Sequence, residues 1–232
     1  MSGGERFTQQ GFDVWRQWLT ASQFATLSDR VDQYAARVDD EGLPTMMDES
    51  GNFATRKSMN AMNQHDPWFR DILDHLDLRL LAEELTGQPV VVRNVQWFDK
   101  PPAARSAPGT PPHQDAVFSG LEPAEGLTFW LPLDAVDAEN GCLRFLPESH
   151  RSLLSHEPSD TAGFSQRVTV WNDAIEAREV AISAVPRDLI AHHILTVHRT
   201  DPNRSDRHRR ALGIQIKSTR AKETNPKAYR PN

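Results

Sequence analysis

The chain has 232 residues and a formal net charge of −6 at pH 7, with 38% hydrophobic and 25% charged residues. This length allows one large domain with its own core, and the composition is typical of a globular protein rather than a disordered one. The acidic balance excludes a chain-wide attraction to nucleic acid or to anionic membranes.

Cysteine content and apolar patterning bear on the compartment. Cys142 is the only cysteine, so no internal disulfide can form, which is typical of a reducing compartment. The N-terminus lacks the pattern of a signal peptide, and no apolar run approaches the about 20 residues that cross a bilayer. We therefore expect a cytoplasmic protein with no nucleic-acid or membrane partner. The sequence does not indicate its oligomeric state.

The N-terminal third is predicted to be mainly helical. Apolar residues recur at helical spacing over residues 7–40, as in "VWRQWL" and "FATLSDRVDQYAARV", and Thr20 or Ser22 is suited to cap the second segment. Residues 41–66 are rich in turn formers, and we expect irregular structure there. Two short helices follow in "DPWFRDILDHL" and "DLRLLAEELTG", and Gly87 is suited to end the second.

Beyond Gly87 the sequence changes to short β-branched and aromatic segments separated by turns. Many short strands without helices between them indicate two packed sheets or a barrel rather than a parallel α/β sheet. We therefore expect one mainly β domain over residues 1–232, with a helical part over 1–88, a β core over 89–218 and a polar tail over 219–232. The predicted strands lie at residues 90–98, 127–136, 142–147, 167–171, 179–185, 189–198 and 211–218.

The segment "TPPHQDAVFSG" contains a candidate metal-binding pair. Side chains two positions apart in an extended chain point to the same side, so His113 and Asp115 can face one point in space. Such a pair is common by chance, and a metal site needs a further ligand. Two histidines and one carboxylate on one face of the metal form the ligand set of non-haem Fe(II) oxygenases. The late predicted strand offers His192, His193 and His198.

Three segments taken together resemble one known family. The order of "HQD", "WLPLDAVDAENGCLRFLPESHR" and "HHILTVHRTDPNRSDRHRRAL" is similar to that in the phytanoyl-CoA dioxygenase family of Fe(II)- and 2-oxoglutarate-dependent oxygenases. The resemblance covers roughly residues 90–218, with a looser match over the N-terminal helices. It implies a double-stranded β-helix, the jelly-roll or cupin-like core, with the N-terminal α-helices packed against it.

The resemblance also implies roles for individual residues. His113, Asp115 and His198 are the implied ligands of Fe(II). Arg209 is the implied partner of the far carboxylate of 2-oxoglutarate, which a planar guanidinium matches in charge and geometry. In a strand only one of Arg209 and Arg210 can face inward. The implied requirements are Fe(II), 2-oxoglutarate, O2 and, as support for activity, ascorbate.

Further positions are assigned to the site or kept as alternatives. Asn203 matches a family asparagine in the turn after His198, the distal histidine ligand. Gln96 lies on the strand before His113 and is placed to hydrogen-bond the co-substrate. His192 stays open as an alternative third ligand, although the spacing to the later residues favours His198. His193 is expected to support a ligand or lie in the core, and Cys142 to be a core residue.

Basic residues and two loops are candidates for the substrate side. The connection over 149–173 and the Pro-rich loop over 99–112 are predicted to form a lid or walls. The family often has a small residue after the distal histidine, where this chain has Arg199. Several basic side chains near the site in sequence are candidates to hold an anionic group: Arg93, Lys100, Arg105, Arg144, Arg167 and Arg199.

The implied function is a non-haem Fe(II)- and 2-oxoglutarate-dependent oxygenase. It would hydroxylate a C–H bond of a small molecule with release of succinate and CO2. Relatives that halogenate lack the carboxylate ligand, so Asp115 argues for hydroxylation or a related oxidation. The alternative is a jelly-roll metal-binding protein without oxygenase activity, either with a degenerate site or acting as a non-redox hydrolase or isomerase. The substrate itself is not predicted.

Overall fold

The computed structural model describes residues 3–48, 55–102, 109–161 and 163–224. Most of the helical residues precede residue 88, and most of the strands follow it. The helices are α1 (Gly3–Gln10), α2 (Ala21–Glu41), α3 (Met62–His65), α4 (Pro67–Arg70), α5 (Ile72–His75), α6 (Arg79–Thr86), α7 (Ala116–Ser119) and α8 (Asp173–Glu176), with a 3-10 turn at Ser149–Arg151. The strands are β1 (Phe12–Trp15), β2 (Thr45–Asp48), β3 (Thr55–Met59), β4 (Val90–Lys100), β5 (Thr110–His113), β6 (Leu121–Glu122), β7 (Gly126–Pro132), β8 (Leu143–Phe145), β9 (His156–Thr161), β10 (Phe164–Val168), β11 (Val180–Ile182), β12 (Leu189–His193), β13 (His198–Thr200), β14 (Arg209–Ser218) and β15 (Lys222–Glu223).

The strands form two principal antiparallel sheets. The large sheet has the order β1-β12-β7-β14-β4-β3-β2, and the small sheet has the order β11-β8-β13-β5. The hairpin β9–β10 and the pair β6–β15 lie outside them. Strands that are distant in sequence are neighbours in each sheet, as in a jelly roll. The predicted mainly β fold, with a double-sheet core and packed helices, is confirmed.

The large sheet carries an apolar cluster on each face. Phe129 and Leu131 on β7 pack in one cluster with the helices, whereas Trp130 between them packs with Phe145 of the small sheet. Alternation of side chains along a strand produces this division. Cys142 is buried in the second cluster, as predicted. Helix α2 closes the first cluster with Leu27, Val31, Tyr34 and Val38.

Helix α2 begins and ends at signals in the sequence. The backbone N–H of Gln23 donates to the Thr20 hydroxyl at 3.1 Å, and the Gln23 side chain accepts from the Thr20 backbone N–H at 2.9 Å. This capping box satisfies two backbone donors and makes Thr20, rather than Ser22, the cap. Gly42 ends the helix at φ 61, and Gly87 ends α6 at φ 64 as predicted.

Three secondary-structure predictions are wrong. The start of "VWRQWL" is not helical, because β1 pairs along its whole length with β12 and this pairing overrides the local spacing. Residues 41–66 are not irregular throughout, since β2 and β3 extend the other edge of the large sheet. Residues 189–198 do not form one strand, because a turn separates β12 from β13. Consequently His192 lies in the large sheet and His198 in the small sheet.

The last described residues are paired rather than frayed. Within the predicted polar tail, β15 pairs with β6, while residues 225–232 lie outside the described part of the chain. None of the helices in the described segments is both long and apolar enough to span a bilayer. The cytoplasmic location stays a prediction.

Candidate active site

Three predicted ligands converge where neighbouring strands of the small sheet meet. His113 ends β5, His198 begins β13, and the two are direct cross-strand partners. Asp115 follows at the start of α7, and its Oδ1 lies 3.5 Å from His113 Nε2 and 3.7 Å from His198 Nε2. One donor atom from each residue lies within 4.8 Å of the other two. The fold therefore gathers this set around one point.

Backbone carbonyl groups orient both imidazoles. Nδ1 of His113 lies 2.8 Å from the Pro111 oxygen, and Nδ1 of His198 lies 3.0 Å from the Thr196 oxygen. A carbonyl oxygen only accepts hydrogen bonds, so these partners assign the proton of each neutral ring to Nδ1. Nε2 keeps its lone pair and faces the cluster. Metal-binding histidines are held by outer partners in this way.

Burial and mutual proximity set the protonation of the cluster. Burial, and next the neighbouring imidazole of His113, hold the pKa of His198 well below its ordinary value. Burial opposes the charged form of Asp115, but the surrounding imidazoles outweigh it and lower the pKa of this carboxyl. The cluster thus offers a carboxylate at Asp115 and a neutral imidazole at His198. This donor set fits a divalent first-row metal such as Fe(II).

A fourth histidine lies beside this cluster but comes from the large sheet. His192, on β12, is 2% exposed, and its Nε2 lies 4.0 Å from Asp115 Oδ2. Its cross-strand partner Thr128 donates from Oγ1 to the same oxygen at 2.8 Å. His192 is not part of the group whose donor atoms lie within 4.8 Å of one another. The third ligand could be His192 or His198, and the distances group His198 with His113 and Asp115.

Arg209 lies on the wall of the same cavity, at the start of β14. It is 4% exposed, its Nε has no hydrogen-bond partner, and its guanidinium carbon lies 5.6 Å from the centre of the Trp130 ring. Burial lowers the pKa of Arg209 to about 10, so the group stays charged at neutral pH. A buried cation without a counter-ion is costly. This wall therefore fits an anionic ligand such as a carboxylate.

The strand alternation turns Arg210 the other way. Its Nε and Nη2 bond the carboxylate of Asp134 at 2.9 and 2.7 Å, at an exposed position. Lys100, the cross-strand partner of Arg209, is 8% exposed and donates from Nζ to the Asp201 backbone oxygen at 3.1 Å. Burial, and then Arg209, hold the pKa of Lys100 well below its ordinary value. The buried guanidinium of Arg209, beside Lys100, thus defines a cationic end of the cavity.

The two further assigned residues lie in different surroundings. Gln96 lines the cavity from β4, where contact with a co-substrate stays a prediction. Asn203 is not among the lining residues of the described chain. Its Nδ2 donates to the Lys100 and Pro101 oxygens at 2.9 and 3.0 Å, and its Oδ1 accepts from the backbone and hydroxyl of Ser205. Asn203 therefore ties a loop together and has no polar atom left for a ligand.

Two of the basic candidates for the substrate side line the cavity: Arg93 and Lys100. Arg93 donates to Gln215 Oε1 at 2.9 Å and to Glu223 Oε1 at 3.1 Å. Arg105 lies outside the described residues. Arg93 therefore lines the cavity from the same strand as Lys100, with its guanidinium paired to Glu223.

The other basic candidates are directed elsewhere. Arg199 forms a bidentate pair with Glu179, both contacts being 2.8 Å. Arg144 bonds Asp201 at 2.7 Å, and Arg167 bonds an acidic residue of its own hairpin. None of these three is among the lining residues that the structure describes. The unusual residue after the distal histidine therefore contributes to an ion-pair network rather than to the cavity.

Aromatic side chains enclose the metal side of the cavity. The Phe164 ring lies 4.8 Å from the His113 ring, and the Phe118 ring lies 5.6 Å from it. Phe164 belongs to the hairpin β9–β10, within the connection predicted to form a lid or wall. Trp171, at the end of that connection, does not line the cavity and bonds an acidic side chain of α8. The ends of the Pro-rich loop also line the cavity, but residues 103–108 lie outside the described chain.

The sequence did not indicate several side chains of this site. Thr128 and Trp130 received no role, yet both line the cavity. The available signal was alternation along β7, which puts both on the face opposite Phe129. That signal becomes usable only once the site is known to lie between the sheets.

Comparison with protein-family models adds an independent observation. The model described as phytanoyl-CoA dioxygenase (PhyH) matches residues 7–211. The chain belongs to the phytanoyl-CoA dioxygenase family. The resemblance drawn from the motifs is thereby confirmed, and the match includes the N-terminal helices.

Curated proteins similar to this phytanoyl-CoA dioxygenase family member come from animals and bacteria. The phytanoyl-CoA dioxygenase domain-containing protein 1 of Rattus norvegicus is 28% identical over 261 residues, covering 91% of this chain and 88% of that protein. A probable alpha-ketoglutarate-dependent hypophosphite dioxygenase of Stutzerimonas stutzeri is 28% identical over 138 residues, covering 58% and 47%.

Solved structures share the fold. The non-heme alpha ketoglutarate dependent epimerase SnoN from nogalamycin biosynthesis is 21% identical with a TM-score of 0.77, covering 97% of this chain and 87% of that one. The carbocyclase SnoK from the same biosynthesis is 24% identical with a TM-score of 0.76, covering 95% and 85%. At these identities the likeness shows that the family member has the fold of these enzymes.

Proposed function

We propose that this member of the phytanoyl-CoA dioxygenase family is a non-haem Fe(II)- and 2-oxoglutarate-dependent oxygenase that hydroxylates a C–H bond of a small molecule. One observation carries the proposal: a single cavity contains both a two-histidine, one-carboxylate cluster and a buried arginine whose Nε has no hydrogen-bond partner among the described residues. The relative named as an alpha-ketoglutarate-dependent dioxygenase supports the same reaction class.

The cluster would hold the metal through the atoms that already face each other. His113 and His198 would bind Fe(II) through Nε2, and Asp115 through its carboxylate, which leaves coordination positions for small molecules. When bound, Fe(II) with 2-oxoglutarate and O2 supplies an oxidation in which 2-oxoglutarate becomes succinate and CO2 and a substrate C–H becomes C–OH. The carbonyl partners of both Nδ1 atoms keep the rings in position.

The cationic end would orient the co-substrate. Arg209 would form a bidentate pair with the far carboxylate of 2-oxoglutarate, in a buried setting where charge-assisted hydrogen bonds are strong. Trp130 lies against the guanidinium, and Lys100 is its cross-strand neighbour. Gln96, which lines the same cavity, would donate a hydrogen bond to the co-substrate. These residues would fix the direction from which the co-substrate reaches the cluster.

Apolar groups would exclude water from the reacting C–H bond. Phe118 and Phe164 flank the His113 ring, and Ile194 and Leu121 continue the apolar lining. A small molecule with an apolar portion fits such a wall. Hydroxylation is one outcome, and the fold neighbours named as an epimerase and a carbocyclase make product analysis the way to identify it.

Anaerobic titration tests the proposal. Fe(II) and 2-oxoglutarate added together should produce a weak visible charge-transfer band that neither produces alone. Admission of O2 with ascorbate should then release succinate. A hydrolase, an isomerase or a degenerate metal protein would bind metal without either signal. Normal metal binding with no band and no succinate would therefore replace the proposal by that alternative.

A further inference from the structure

Thr128 and His192 approach one particular oxygen of Asp115. They are cross-strand partners on β7 and β12 of the large sheet. Thr128 Oγ1 donates to Oδ2 at 2.8 Å, and His192 Nε2 lies 4.0 Å from Oδ2. The histidines of the small sheet lie instead near Oδ1, His113 at 3.5 Å and His198 at 3.7 Å. The two sheets therefore face different oxygens of a single carboxylate.

We propose that His192 and Thr128 are positioning residues that hold Oδ2 against the large sheet, so that Asp115 presents Oδ1 alone to a metal. The inference rests on the proposed metal site and does not require oxygenase activity. A carboxylate that binds through both oxygens takes up an additional coordination position. A site with three protein ligands works only if its remaining positions stay open to small molecules. Holding Oδ2 away from the metal thus keeps one more coordination position open.

The surroundings of His192 fit a donor directed at the carboxylate. The side chain is 2% exposed, and its Nδ1 is buried without a hydrogen-bond partner. A neutral imidazole has one N–H and one acceptor nitrogen. The proton is favoured on Nε2, because this nitrogen faces the carboxylate oxygen Oδ2. At 4.0 Å the contact is longer than a hydrogen bond, and it acts as an electrostatic attraction between the ring N–H and the carboxylate.

His192 also packs on a ligand ring. Its ring centre lies 4.3 Å from that of His198 and 5.3 Å from that of Phe145. On its other side, the His198 ring lies 4.2 Å from the His113 ring. A small residue at position 192 would therefore loosen His198 as well as release Oδ2. Phenylalanine keeps a ring at this position and removes the N–H, which separates the two effects.

Co(II) binding to the metal-free protein tests the proposal, because the visible absorption of bound Co(II) reports coordination number without turnover. H192F and T128V should each weaken Co(II) binding by about 10-fold to 100-fold, the range for groups that support a metal ligand. Each should also lower the absorption per bound Co(II), as a second carboxylate oxygen enters. The double variant should be weaker by less than the product of the two single effects, since both residues act on one oxygen.

Matched variants make the outcome decisive. H192Q, whose amide N–H can take the place of Nε2–H, should recover most of the affinity and the spectrum. H75F exchanges a surface histidine stacked on Trp68 and should change neither. Wild-type Co(II) affinity and spectrum in H192F, failure of H192Q to recover them, or single effects that multiply would each overturn the proposal.

Folding and function are separated within the same experiment. Circular dichroism identifies a variant that does not fold, and T128V, which keeps the shape of threonine, then decides alone: an unchanged Co(II) spectrum in T128V refutes the proposal. If Co(II) binding responds as expected while the wild type shows no 2-oxoglutarate turnover, the proposed oxygenase function fails and the assignment of His192 and Thr128 stands.

Discussion

The metal end and the cationic end of the cavity are built in opposite ways. At the metal end, backbone carbonyl groups orient His113 and His198, and a threonine hydroxyl holds the carboxylate of Asp115. At the cationic end, Arg209 has an Nε without a partner, and Lys100 reaches only a backbone oxygen. Within the described residues, the chain therefore completes the first end by itself and leaves the Arg209 Nε of the second end without a hydrogen-bond partner.

This difference separates two sources of affinity. Metal affinity should depend on how well the chain positions its own donors, since little has to move on binding. Affinity for an anion at the other end should depend on charge, because a bound carboxylate pairs with the buried guanidinium of Arg209. An anion bound there should also raise the unfolding temperature by mass action.

The largest effect is expected from Asp115→Ala, which removes the one carboxylate of the metal end. Fe(II) affinity should fall by more than about 100-fold, beyond the range for supporting residues, and 2-oxoglutarate turnover should be lost. Anaerobic calorimetry measures the affinity. Asp134→Ala, which removes the exposed partner of Arg210, should bind Fe(II) normally. Unchanged Fe(II) binding in Asp115→Ala would show that this end of the cavity is not the metal site.

The next effect should be confined to the cationic end. Arg209→Met keeps an apolar contact with Trp130 but loses the charge, and should weaken 2-oxoglutarate binding by at least about 30-fold, as expected for loss of a buried charge partner. Fe(II) affinity should stay at the wild-type value. Arg210→Met is the matched control and should bind both normally. Equal effects of the two arginine variants on 2-oxoglutarate would show that the buried position has no special role.

The third effect concerns pH and the histidines beside the metal end. Burial, then His150, lower the pKa of His193 to about 4 from its ordinary 6.5. Between these values the unfolded chain takes up a proton that the folded chain refuses, so stability falls as pH falls through this range. For His193 the loss is on the order of 3 kcal/mol. Thermal unfolding of metal-free protein from pH 7.5 to 4.5 measures it, and His193→Asn should flatten the curve.

Much of the site was predictable because ligand spacing survives changes in local structure. The pair at His113 and Asp115 was predicted from the alternation of an extended segment, but β5 ends at His113 and Asp115 begins α7, and the family resemblance supplied His198 and Arg209. The arrangement around them was not predictable. A turn interrupts the predicted strand over 189–198. Because of this turn, His192 lies in the large sheet and His198 in the small sheet.

Edge strands of the large sheet were missed for a physical reason. β2 and β3 read "TMMD" and "TRKSM", with no alternation of apolar and polar residues to indicate a strand. β1 has apolar residues at a spacing that also suits a helix. Their β conformation depends on hydrogen bonds to strands distant in sequence, and such pairing leaves a weak local signal.

Because Asn203 is anchored, the length of the loop that follows it determines which arginine of β14 faces the cavity. Its amide fastens the loop between the distal histidine and β14 to the Lys100 and Pro101 carbonyls, on the strand that pairs with β14. Along β14, which begins at Arg209, successive residues alternate between inward and outward. If the loop from Asn203 kept its path, one residue fewer before β14 would turn Arg210 inward, and one more would turn Arg209 out to solvent. The number of residues between Asn203 and β14 therefore matters for the site as much as the identity of those residues.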